Sequence, residues 1–193
     1  MPWEKQFSTD EALSKAMHAF WARGYEATSM QDLVTSMGIN RASIYATFGD
    51  KHSLFIEALR AYDARHRAAF LERLRNQHPG KAAIVKAFDE VIASALEGGP
   101  NDGCLLVNTA LELSPHDEAV AEIVGAGLRQ VETFFRDMIK AGQALEEIPL
   151  SVDPAPTAQA LLSLFVGLRV LTRSRPEKAL LKSIARQAEA MLA

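Results

Sequence analysis

Between Ser8 and Asp50 the sequence alternates helix-starting and helix-stopping residues so closely that only a run of short helices fits. Ser8 followed by Glu11 has the capping-box pattern, in which the hydroxyl accepts a first-turn amide and the carboxylate accepts the amide of the cap. Leu13, Ala16, Met17 and Phe20 then repeat at helical spacing, and Gly24 supplies a stop. A second helix begins near Thr28-Ser29, with Gln31 or Asp32 in its first turn. It turns Leu33, Val34 and Met37 inward and ends at Gly38. Asn40 caps a third helix, Arg41 to Phe48; Gly49 breaks it and Asp50 caps a fourth. Two short helices joined by a tight turn at Gly38-Ile39-Asn40 have the layout of a helix-turn-helix, and glycine spares that turn a steric cost.

The fourth helix runs to Gln77 without Gly or Pro, its buried side marked by Leu54, Phe55, Ala58, Leu59, Tyr62, Phe70 and Leu74. At 1.5 Å per residue it spans on the order of 40 Å, enough to join two parts of a molecule. After His78-Pro79-Gly80 the pattern predicts helices over about 81–96, 104–113, 116–141, 157–173 and 176–192. Loops fall at 98–103 and around Pro149, Pro154 and Pro156. No strand-like alternation occurs, so the expected fold is all-α with about nine helices, divided into residues 1–65 and 66–193. Apolar residues at 48% and charged residues at 23% exclude a largely disordered chain. The single cysteine, Cys104, excludes an intrachain disulfide. Met1-Pro2-Trp3-Glu4-Lys5 lacks the apolar core of a secretory signal, and the apolar tract from Pro154 to Leu168 is short for a membrane span. A cytoplasmic protein with no membrane partner is the expectation.

Helical spacing puts Ile39, Ile44 and Phe48 inside and leaves Arg41, Ala42, Ser43, Tyr45 and Thr47 outside. A helix that displays small and hydrogen-bonding side chains at its N-terminal end can enter a major groove and read base edges. Lys51 just beyond it, and Thr28 with the amides opening the second helix, are placed to hold phosphates. The run Gly24-Tyr25-Glu26-Ala27-Thr28-Ser29-Met30-Gln31-Asp32-Leu33, with Gly38-Ile39, Ser43-Ile44-Tyr45, Phe48-Gly49-Asp50-Lys51 and Leu54-Phe55, resembles the DNA-binding domain of the TetR family of bacterial repressors. The resemblance covers roughly the first 60 residues. It implies a two-domain, all-α homodimer whose C-terminal domain binds an inducer, acting on double-stranded DNA at a palindromic operator. By position it implies base contacts from Arg41, Ala42, Ser43 and Tyr45, and phosphate contacts from Thr28, Tyr45, Thr47 and Lys51. Val34 stands where the family commonly has a small residue, and Ala46-Thr47 is smaller than the usual pair.

Farther along, Gly103 to Glu112 resembles a segment of one branch of that family, and some members of related branches sense electrophiles or oxidants through a cysteine in a similar place. Leu105, Leu106 and Val107 beside Cys104 make a buried, inert thiol the plainer reading. Phe88, Cys104, Phe134, Phe135, Met138 and Phe165 are the candidate lining of an apolar effector cavity. Glu112, His116, Asp117 and Glu118 are broken by Ser114-Pro115 and are better read as helix-start carboxylates than as metal ligands. No metal or cofactor is expected. Gly125-Ala126-Gly127 lies in a helix and favours close packing over nucleotide binding. Leu161, Leu162, Leu164, Phe165, Val166, Leu168, Val170 and Leu171 surround their helix. With Leu180, Leu181, Ile184, Ala188 and Met191, they point to a two-fold four-helix dimer interface. An all-α enzyme or carrier using the C-terminal cavity alone lacks any nucleophile–base pair or acid–base pair at credible spacing. The net charge of −3 is uneven: residues 1–78 carry 10 Lys+Arg against 9 Asp+Glu, residues 79–193 carry 11 against 15. The acidity lies away from the reading half.

Overall fold

Ser8, Ser29, Asn40 and Asp50 cap the first four helices, each side chain accepting an amide of the first turn. The computed structural model describes residues 7–97 and 102–193. Met1 to Lys5, read above for a signal, and the first part of the 98–103 loop lie outside the described residues. The helices are α1 (Thr9–Arg23), α2 (Met30–Met37), α3 (Arg41–Phe48), α4 (51–77), α5 (Lys81–Leu96), α6 (Leu105–Glu112), α7 (Glu118–Ala144), α8 (Pro154–Ser174) and α9 (Lys178–Ala190). The fold is all-α, with nine helices among the described residues.

Local chemistry explains where expectation and structure part. Only half of the first capping box forms: Ser8 accepts the Glu11 amide at 3.3 Å while the Glu11 carboxylate pairs with Lys15. The full box is at α2, between Ser29 and Asp32. α7 starts at Glu118, since Asp117 is its cap, and α8 starts at Pro154, since Asp153 caps it and proline needs no amide at a first helical position. α4 is interrupted by a π turn at Asp63–Ala68, which inserts one residue into the register. Beyond it Leu71 and Leu74 are buried and Phe70, expected inside, is half-buried.

Two apolar clusters build the core. One gathers Met17, Phe20, Leu33, Ile44, Phe48, Leu54, Phe55 and Leu59 from α1–α4, with Phe20 edge-on to Phe55 at 5.0 Å. Full burial of side chains of this size is worth ~1.5–3 kcal/mol each. The same cluster takes in Leu105, Leu106 and Val107 of α6 and Val120 and Val124 of α7. The other joins α5, α7, α8 and α9 through Phe88, Phe134, Phe135, Leu161, Phe165 and Leu181. Residues 104–124 thus pack with the N-terminal helices. Extended to Ser174, α8 is long and apolar enough to cross a membrane by length and composition, beyond the tract that ended at Leu168. Leu161, Phe165 and Leu168 nevertheless bury one side of it in the core.

Candidate DNA-binding surface and effector cavity

Ile44 and Phe48 anchor α3 beneath, and Asn40 fixes its first turn by accepting the Ser43 amide at 2.8 Å. Helical periodicity then sends Arg41, Ala42, Tyr45 and Ala46 into solvent, with Ser43 and Thr47 at the margin. Tyr45 is 46% exposed, a large ring outside the core. Lys51 opens α4, where the helix dipole disfavours a cation, and its ammonium lies 4.2 Å over the Tyr25 ring. Burial, followed by Glu26, Asp50 and Asp117 nearby, raises the Tyr25 phenol above its ordinary pKa. Thr28 departs from its expected phosphate-facing position: it is fully buried, and its hydroxyl donates to the Gly24 carbonyl at 2.6 Å. That carbonyl lies just beyond α1, where the helix supplies no amide partner.

The reading helices are tied to the rest of the chain by short contacts. The Glu112 carboxylate accepts the amides of Tyr25 at 3.1 Å and Glu26 at 2.8 Å. Gly24 makes room for it, because a Cβ there would stand 2.8 Å from Glu112 Oε2. His52 Nε2 pairs with Asp117, whose other oxygen accepts the Val120 amide at 3.0 Å. The Val120 amide first, and His52 second, hold the Asp117 carboxyl below its usual range. Trp21 Nε1 donates to the Gly103 carbonyl at 3.3 Å. Of the carboxylates weighed above as metal ligands, Glu112 and Asp117 are therefore engaged with amides, and no metal-ligating cluster occurs among the described residues.

A cavity of about 290 Å³ lies where α1, α4, α5, α6, α7 and α8 meet. The π turn brings His66 and Arg67 to its wall. His66 stacks on Tyr62 at 5.2 Å and meets Trp21 edge-on at 5.1 Å. Burial first, then His18 and Arg65, lower its pKa. Arg67, 9% exposed, donates to Asp63 and, at 2.7 Å, to Gln130. Gly127 makes that approach possible: a Cβ there would stand 2.9 Å from Leu106 Cδ1 and 3.1 Å from Asp63 Oδ1. Glu90 also lines the cavity and is held by Arg73. Arg169 places its guanidinium 5.4 Å over the Phe165 ring. Cys104 is buried against Tyr62, whose phenol is pushed well up by burial first and by Cys104 next.

Residues 12–58 match the model of bacterial regulatory proteins of the tetR family, and residues 80–188 match the tetracyclin repressor-like C-terminal domain. The second match alone spans over half of the chain. The chain belongs to the TetR family. It is a DNA-binding transcriptional regulator of the helix-turn-helix class. The HTH-type transcriptional regulator YezE of Bacillus subtilis (strain 168) is 35% identical over 71% of each chain. The HTH-type transcriptional repressor ComR of Escherichia coli (strain K12) is 30% identical over 88% of this chain and 81% of its own. A cysteine mutant of the TetR family transcriptional regulator CifR, complexed with 26 bp double-strand operator DNA, superimposes with a TM-score of 0.86 at 28% identity, covering 99% and 100% of the two chains.

Within this TetR-family chain the expected effector residues separate. Cys104 and Phe165 line the cavity. Phe88, Phe134, Phe135 and Met138 do not: they belong to the second apolar cluster, Phe88 with Phe135 at 6.0 Å and Phe134 with Phe135 at 5.5 Å, and Phe134 borders a separate cavity beside Thr133 and Gln130. Aromatic spacing marks a buried face and is silent on whether that face borders a void. Sequence reasoning passed over Trp21, Tyr62, His66, Arg67 and Arg169. For Tyr62, His66 and Arg67 the one signal was the break in the apolar pattern between Tyr62 and Phe70, where Asp63-Ala64-Arg65-His66-Arg67 intervene.

Proposed function

We propose that the chain is a homodimeric repressor that reads a palindromic operator through two α3 helices and releases it when a small molecule fills the α4–α8 cavity. It works in the cytoplasm and carries no catalytic activity. The observation that carries the reading is the face of α3, where Arg41, Ala42, Ser43, Tyr45 and Thr47 stand outward above the buried anchors Ile44 and Phe48. Two such helices about 34–36 Å apart enter successive major grooves. Lys51 supports the phosphate side of the interface, exchanging the Tyr25 ring for a phosphate at the start of α4. For Thr28 the hydroxyl is turned inward, so its contribution to the interface is positional: it closes the turn that presents the α2 amides.

Pairing through α8 and α9 is supported by the exposed apolar side of α8, only 28% of whose most apolar stretch is buried within one chain. Val170 is 39% exposed, and a Cβ on Gly167 would meet nothing within 4 Å. Glycine inside a helix costs ~1 kcal/mol relative to alanine, which a close helix crossing offsets. Release follows from ligand binding at the cavity, since its wall includes α4 and α1 of the reading half. The test is selection of duplexes from a random library, followed by binding across a salt series. A palindrome whose affinity falls steeply with salt is expected; enrichment of no sequence, or salt-indifferent binding, sinks the reading.

A further inference from the structure

The charges around the cavity do not balance. Arg67 is neutralised by Asp63 and Glu90 by Arg73, and the depressed pKa of His66 keeps it uncharged near neutral pH. Arg169 is left over: no carboxylate pairs with it among the described residues. Two guanidinium nitrogens on residues lining this cavity, Arg67 Nη1 and Arg169 Nε, are buried with no hydrogen-bond acceptor. Buried cationic donors left unpaired are costly, and a planar guanidinium matches a carboxylate in shape and charge. The remaining wall is largely aromatic and aliphatic, including Trp21, Phe70, Leu128 and Phe165. At about 290 Å³ the space lies at the lower end of ligand pockets, which run ~300–1,000 Å³.

We propose that this cavity takes a small organic carboxylate, its acid group held by Arg67 and Arg169 and its apolar body packed against Trp21, Phe70, Leu128 and Phe165. The proposal names the ligand class of the effector site and so rests on the reading of that cavity given above. Because the π turn carrying Arg67 belongs to α4, the same helix that begins at Lys51 beside the reading helix, an anion gripped there acts directly on the element that positions α3.

The experiment uses the full-length protein with Trp3→Phe, leaving Trp21, at the cavity wall, as the sole tryptophan, excited selectively at the red edge where tyrosine does not absorb. Sodium benzoate, phenylacetate and hexanoate are titrated against benzamide, phenylacetamide and hexanamide. At least one acid is expected to change Trp21 emission and to bind ~10-fold or more tightly than its own amide, the range of a charge-assisted hydrogen bond. Arg169→Met is expected to bring the acid to the level of the amide while amide affinity stays within about twofold; Arg169→Lys retains part of the preference. Equal binding of acid and amide, no binding by any acid, or an undiminished preference in Arg169→Met overturns the proposal. The acid–amide comparison needs no substitution in the cavity, so it stands even if Arg169→Met fails to fold. Operator release is measured separately. An acid that binds without releasing DNA leaves the carboxylate site standing and removes the effector role. Release by an uncharged compound, with every acid inert, does the reverse.

Discussion

Tyr45 projects from α3 with nearly half its surface in water and belongs to neither apolar cluster. Tyr45→Ala should therefore weaken operator binding by at least ~1 kcal/mol, read by anisotropy, while sedimentation shows an unchanged oligomer. Equal affinity would move the reading face elsewhere. His66 behaves differently because it is half-buried among Tyr62, Trp21, His18 and Arg65, and its native pKa is lowered. In the pH range between that lowered value and the ordinary histidine value of about 6.5, the unfolded chain binds the proton more readily than the native one. This contribution to stability is complete above pH ~6.5 and diminishes as the pH falls below it. Melting curves at about pH 7.5 and pH 5.5 should show a smaller loss on acidification in His66→Gln than in the parent. A loss of the same size would exclude His66 as the group responsible.

At the scale of elements, the π turn in α4 and the bare backbone of Gly127 in α7 are one arrangement. The turn swings Asp63 and Arg67 toward α7, and Gly127 leaves room for them. Gly127→Ala places a methyl within 2.9 Å of Leu106 and 3.1 Å of Asp63, so overpacking of ~1–3 kcal/mol is expected in chemical denaturation. It should also blunt any ligand response of the cavity; unchanged stability and response would show that α7 simply shifts away. How much of this was legible follows from what each residue type signals. Caps are local, so Asn40, Asp50 and Gly38 could be read in place, and the inward set Ile44 and Phe48 fixed the outward face of α3. The π turn has no marker residue, so Phe70 just beyond it was assigned to the core, while Leu74 farther along was placed correctly. Thr28 looked like a surface hydroxyl because its acceptor, the Gly24 carbonyl, exists only once α1 has ended. Arg67 and Arg169 went unmarked because burial of an arginine depends on partners remote in sequence, such as Gln130 for Arg67.

For the whole molecule, the exposed side of α8 is the face on which the proposed pairing is tested. Val170→Glu inserts a charge into the expected two-fold contact and should convert the dimer to monomer in sedimentation, with operator affinity falling by about tenfold or more. A dimer of unaltered mass would place the interface on another face. The near-neutral reading half, with 10 basic against 9 acidic residues over 1–78, leads to weak attachment to random DNA, so loss of pairing should be visible without a large non-specific background.

The participation of α6 in the first apolar cluster, together with the Glu112 carboxylate on the Tyr25 and Glu26 amides, has a practical consequence for grafting. Residues 1–65 transplanted onto a foreign body would leave behind Leu105, Leu106 and Val107, which share their apolar cluster, and strip two amides of their acceptor. A transplant that works must carry a second, discontinuous piece, 104–124, along with the first. The portable unit of DNA reading in this chain is therefore two strips of sequence, and a cut between α4 and α5 severs it.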